Sequence, residues 1–183
     1  MRSFKTVGIV IKRKNFREAD RIVTIFTKNK GKINVKATGV RKINSRRSPH
    51  IELLNFAVFN LYQSRSASGM PVLTEVESLE NFSILKNDLR RIGVAFHFCE
   101  LIDGLCAENQ ENEEIFDLLH LALKTISVND NLDLVSYRFE LKLLKLLGFY
   151  HENQILEKED TQNYIEGILE RKLKTKQIQH LLS

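Results

Sequence analysis

The chain has 183 residues, of which 43% are hydrophobic and 28% charged, with a formal net charge of +5. This composition packs a core and excludes a disordered chain, and the length suits a small barrel joined to a compact helical domain. Cys99 and Cys106, without C-x-x-C spacing or a second pair, build neither a disulfide framework nor a zinc ribbon, and they point to a reducing, cytoplasmic compartment.

The opening Met1-Arg2-Ser3-Phe4-Lys5 is charged and leads directly into an alternating pattern, so neither a signal peptide nor a membrane span is expected. Val7, Ile9 and Ile11 alternate with Gly8, Val10 and Lys12. Residues 22–27 form a β-branched run with Val23 and Ile25 on one face and Phe26 on the other. Residues 31–39 give the cleanest alternation: Ile33, Val35 and Ala37 oppose Lys32, Asn34, Lys36 and Thr38, as in a half-buried strand. Two more runs, 51–63 and 70–79, are bounded by Ser, Gly and Pro residues. Five short strands predict an antiparallel barrel of OB-fold type over residues 1–80.

After Asn81 the period changes to helical. One long apolar helix is expected from Ile84 to Cys106, a second over 112–127, and a third over 132–147 ending at Gly148. Two short helical segments, 162–174 and 175–182, follow. The fold class is therefore α+β, with an α-helical domain over residues 81–183.

The charge is divided unevenly. Residues 1–47 carry 15 Lys or Arg against Glu18 and Asp20, which leaves 13 basic and 21 acidic residues in the remainder. The basic set includes Lys12, Arg13, Lys14, Arg17, Lys28, Lys30, Lys32, Lys36, Arg41, Lys42, Arg46 and Arg47. It falls on one strand face and in connecting loops, and either keeps the surface solvated or tracks a phosphate backbone. Lys12, Arg13, Lys32, Lys36, Arg41, Lys42, Arg46 and Arg47 are the DNA-contact candidates. About five phosphate contacts would give a salt slope of about −4.5 on duplex DNA. Phe16, in the loop after the first strand, and Tyr62, at the end of the fourth, are either base-stacking platforms or core plugs.

Catalytic groups do not assemble. Glu18, Asp20 and Arg21 suit a turn whose carboxylates accept backbone N–H bonds, no histidine completes a triad, and no nucleotide-binding glycine loop occurs. No enzyme, cofactor or metal is expected. His97 and Cys99 lie in an apolar stretch and read as core. On the third helix Arg138, Lys142 and Lys145 form a basic stripe beside Phe139, Leu143, Leu144 and Leu147. That arrangement is either a solvated face beside a core face or a rim for an acidic peptide with a hydrophobic end.

Several ordered strings resemble the RecO family of recombination mediators. They are Gly8 to Lys12, Glu18 to Thr24, Phe26-Thr27, Gly31 to Ile33, Lys36 to Arg41, Arg138 to Phe149, and the closing Tyr164 to Leu182 with Arg171 to Thr175. The resemblance implies an OB-fold followed by helices, binding of single- and double-stranded DNA, and annealing of complementary strands. It also implies work with RecR, contact with the C-terminal tail of single-strand binding protein, indirect assistance to RecA, and a nucleoid-associated location. By resemblance Lys12, Arg13, Lys32, Arg41 and Lys42 match DNA-contacting positions, and Arg138 falls where the family receives that tail. The family's cysteine-rich zinc module has no counterpart after Tyr150, so zinc is not expected. An RNA-binding OB protein of translation or ribosome assembly is the competing expectation.

Overall fold

The alternating first eighty residues form five strands in the computed structural model, which describes residues 2–63, 69–151 and 156–177. They are β1 (Arg2–Phe16), β2 (Asp20–Thr27), β3 (Gly31–Ala37), β4 (Phe56–Gln63) and β5 (Val72–Glu80). The sheet closes in the order β1-β2-β3-β5-β4, because the long β1 pairs with β4 through its first half and with β2 through its second. This closure is that of an OB-fold barrel. All pairings are antiparallel except a short parallel contact, Lys36 with Val72, where β3 meets β5.

The side-chain period of two fills the barrel. Val10, Val23, Ile25, Ile33, Val35, Ala37, Ala57, Phe59, Leu61 and Leu73 form its interior. In β1 the inward face is the one carrying Gly8 and Val10, not Ile9 and Ile11. A Cβ on Gly8 would sit 2.5 Å from Ile25 Cγ2, so the strand there approaches its neighbour closely. A register shift between Val10 and Lys12 then re-aims the rest of the strand.

Two sequence expectations change in this region. Phe16 is the last residue of β1 and pairs with Asp20, rather than lying in a loop. Residues 51–55 are not strand. Ser48–Ile51 is a 3-10 turn with Pro49 in its first turn, which turns Ile51 into the barrel interior, while Leu54 N and Asn55 O bond the backbone of Val10.

The chain forms two compact units, and the first is discontinuous: residues 1–82 together with 107–116. The second comprises residues 83–106 and 117–183. Its helices are α1 (Ser83–Lys86), α2 (Leu89–Leu105), α3 (Glu113–Val128), whose first turn belongs to the first unit, α4 (Leu132–Leu146) and α5 (Lys158–Leu169).

The long helix expected from Ile84 is interrupted because Asp88 caps a new start. Its carboxylate accepts from the N–H groups of Arg90 at 2.9 Å and Arg91 at 3.1 Å. Phe98 of α2 stacks on Phe139 of α4 with ring centres 4.1 Å apart, and Gly148 ends the α4 region in the left-handed conformation. The closing helix starts earlier than expected, at Lys158, and stops at Glu170, also left-handed. Of the expected 175–182 segment, residues 178–182 lie outside the described residues. Among the described residues, no helix is long and apolar enough to cross a membrane.

Candidate nucleic-acid interface

Register decides which basic residues share a surface. With Ile33, Val35 and Ala37 turned inward, the outward face of β3 carries Lys32, Asn34 and Lys36. Across β2 and β1 the outward rows are Lys36–Ile22–Lys14 and Asn34–Thr24–Lys12. Lys12, Lys14 and Lys36 therefore lie on one face, at the end of the barrel where β1 turns into β2.

That end is built around Phe16 and Asp20. The Arg17 guanidinium lies 5.2 Å and the Lys36 ammonium 5.7 Å from the centre of the half-buried Phe16 ring. Asp20 accepts from the Gly39 N–H at 2.9 Å and pairs with Lys36 at 3.6 Å. The Gly39 N–H, with Lys36 and Arg17, holds the Asp20 carboxyl below the usual carboxylate range. Arg41 donates to the carbonyls of Arg17 and Glu18, and its own N–H bonds Ala19 O, so the segment after β3 is fastened onto the β1–β2 turn. Exposed Lys42 and Arg46 follow in that segment, with Ile43 fully exposed between them. The backbone N–H of Lys36 bonds Pro71 O, which brings the β4–β5 connection to the same end.

The other basic candidates do not join this cluster. Arg13 sits in register with inward-facing Val23, and it shares the Glu52 carboxylate with Arg21. Arg47 is half-buried and donates to Leu73 O and Thr38 O, both at 2.7 Å, so it ties two segments of the barrel. Lys32 is only 7% exposed.

Lys32 is covered by Ala107–Phe116, a strap with four glutamates and no basic residue. Glu108 bridges to Lys32 in parallel, Asn109 N–H bonds Lys32 O, and Asn34 Nδ2 donates to Glu108 Oε1 at 2.7 Å. Lys28 pairs with Glu113 at 2.8 Å. Phe116, 2% exposed, lies 6.3 Å from both Phe26 and Phe56. The outward face is thus cationic toward the β1–β2 turn, while toward the β2–β3 turn, which carries Lys28 and exposed Lys30, the acidic strap is laid over it.

In the helical unit Arg138, Lys142 and Lys145 are all exposed on α4. Of the two readings of the apolar residues beside them, the core face is the one the structure shows. Phe139, Leu143 and Leu144 are buried in the helical core, because they occupy the face of α4 that carries the Phe98 stack; Leu147 is half-buried. The exposed apolar side chains of this region are Leu134 and Phe149, 39% and 40% exposed.

His97 is fully buried, with Nε2 2.7 Å from Glu140 Oε1 and Nδ1 3.1 Å from Thr175 Oγ1. Burial would raise the Glu140 carboxyl, but the His97 bond and charge, Lys176 and Ser136 outweigh it and hold it low. Burial pushes the Cys99 thiol up to about 12, helped by Asp103, so it stays protonated and inert. These groups lock helices together.

Lys14 and Arg17, in the basic set though not among the DNA-contact candidates, are brought to this end as well: Lys14 by its i, i+2 spacing from Lys12, and Arg17 by following Phe16, the last strand residue.

A closed barrel with this strand order and a cationic outer face defines an OB-fold protein with a helical domain after it. The family model described as Recombination protein O N terminal matches residues 1–82, and that described as Recombination protein O C terminal matches residues 86–153. The chain belongs to the RecO family. Relatives named DNA repair protein RecO include those of Roseiflexus sp., 37% identical over 148 residues, and Acetivibrio thermocellus, 36% identical over 150 residues. That of Desulforamulus reducens is 34% identical over 148 residues. Each match covers 81% of this chain and 51%, 59% and 56%, respectively, of the relative, so the chain spans about half the length of the curated relatives it matches.

Proposed function

We propose that this chain is a non-catalytic DNA-binding mediator of recombinational repair. It binds strands on the outward face of β1–β3 at the β1–β2 turn and anneals complementary single strands. The observation that carries the reading is the shared outward register of Lys12, Lys14 and Lys36, with Lys36 over the Phe16 ring and Arg41 fastened onto the β1–β2 turn. Cations track phosphates while an aromatic face accepts a base, and stacking of that kind contributes about 1 to 3 kcal/mol per base. Exposed Lys42 and Arg46 extend the track. The names of the relatives support repair as the setting.

In this reading the exposed Arg138, Lys142 and Lys145 of α4, near Leu134 and Phe149, receive the acidic C-terminal tail of single-strand binding protein, RecR is a further partner, and RecA benefits indirectly. The setting is the cytoplasm, at the nucleoid.

The test is fluorescence-reported annealing of complementary oligonucleotides, bare and coated with single-strand binding protein, alongside competition between matched DNA and RNA. Wild type is compared with a variant in which Lys12, Lys14, Lys36 and Lys42 become Ala. Wild type is expected to prefer DNA and to anneal it, while the variant stays folded and anneals at least tenfold more slowly. Equal rates remove this face from the site, and preference for RNA moves the protein to the translation class.

A further inference from the structure

We propose that the acidic strap Ala107–Phe116 sets one end of the nucleic-acid track, confining a bound strand to the half of the barrel face near the β1–β2 turn. The inference rests on the binding reading above and adds where the footprint stops.

In an OB-fold the outer face of β2 and β3 is the natural path for an oligonucleotide. Here half of that path is already occupied. The strap hydrogen-bonds to the β3 backbone at Lys32, takes the Asn34 side chain on Glu108, and pairs Glu113 with Lys28. Asn34 and Lys28, which would otherwise face a phosphate, are thereby engaged by the protein's own carboxylates, Glu108 and Glu113.

The strap is fixed rather than displaceable. Phe116 is buried against Phe26 and Phe56, and Gly31 lets the backbone of Gln110 approach so closely that a Cβ there would lie 1.9 Å from Gln110 O.

Its anchoring does not need all of its charge. Glu111 and Glu114 are exposed, yet they bring the strap to four negative charges. Carboxylates held in place on a phosphate path repel the next phosphate, and the repulsion reaches about 8 to 10 Å at ordinary salt. A strand laid from Phe16 along β2 meets this charge beyond Asn34.

The experiment measures binding of labelled oligothymidylates over a graded series of lengths and salt concentrations. It compares wild type with Glu108→Gln/Glu111→Gln/Glu113→Gln/Glu114→Gln and with the milder Glu111→Gln/Glu114→Gln, which leaves the Asn34 and Lys28 contacts intact. Both variants are expected to bind about fivefold more tightly at low salt, the double variant somewhat less so. They are also expected to need a longer oligonucleotide before affinity levels off, with a salt slope steeper by about 0.7 for each phosphate gained. Should the quadruple variant not fold, the double variant decides. Oligonucleotide bound with the same slope and levelling length in all proteins overturns the role of the strap alone. No binding by wild type or variants overturns the binding reading and the strap with it.

Discussion

Lys36 Nζ lies 3.6 Å from Asp20 Oδ2, so the cation at the centre of the candidate track is partly neutralised by the carboxylate that also holds the Gly39 N–H. Asp20 has two jobs, a turn fastener through one oxygen and a restraint on Lys36 through the other. Asp20→Asn keeps an acceptor for Gly39 and removes the charge beside Lys36. Oligonucleotide affinity is expected to rise about two- to threefold with the fold unchanged, as read by fluorescence anisotropy and circular dichroism.

Glu100 contributes to the acid sensitivity of the helical unit. Burial alone would raise its carboxyl, but Thr175, Arg171 and the N–H of Lys174 bring it down to about 2. A folded value below the ordinary 4.5 means that its stabilisation is full above pH 4.5 and drains as the pH falls toward 2. Glu100→Gln is expected to flatten the fall in melting temperature across that window. An unchanged acid profile would show that other carboxylates carry it.

Gly31 and Gly148 are both left-handed, with φ of +63° and +76°, but only Gly31 has backbone pressed against it. Gly148→Ala should cost about 1 to 2 kcal/mol from conformation alone. Gly31→Ala adds a collision with Gln110 and should cost at least about 3 kcal/mol, or detach the strap. Denaturant titration separates the two, and equal losses would deny the strap its close seat on the barrel.

Arg46 and Arg47 are neighbours in sequence with opposite duties. Arg47→Ala leaves the carbonyls of Leu73 and Thr38 without their donor and should destabilise the barrel by about 1 to 3 kcal/mol. Arg46→Ala should leave stability within about 0.5 kcal/mol and weaken DNA binding. Thermal melts paired with binding isotherms check both, and the reverse pattern would exchange their roles.

Much of the barrel was legible because period-two alternation in β3 separates Ile33, Val35 and Ala37 from Lys32, Asn34 and Lys36 without ambiguity. The face of β1 was not, since Ile9 and Ile11 are buried as fully as Val10, and it is Val10's place in the interior and the closeness of Gly8 to Ile25 that mark the barrel side. Lys32 and Lys36 are indistinguishable as letters. A strap more than seventy residues further along the chain buries one and leaves the other half-exposed, and nothing local in the sequence marks residues 107–116 for the barrel. On α4 the cations lie at the surface and Phe139, Leu143 and Leu144 beside them are core; the sequence left groove and core face both open, because one helix period cannot tell a docking face from a packing face.

The most direct measurement is photo-crosslinking of a single-stranded oligonucleotide carrying 4-thiothymidine, with the attached peptides identified by mass spectrometry. Cross-links are expected in the stretch around Phe16 and in the segment from Arg41 to Arg46, and to be absent from the strap. Cross-links concentrated on α2 to α5, with the β1–β2 turn unmodified, would contradict the assignment of the barrel face to nucleic acid.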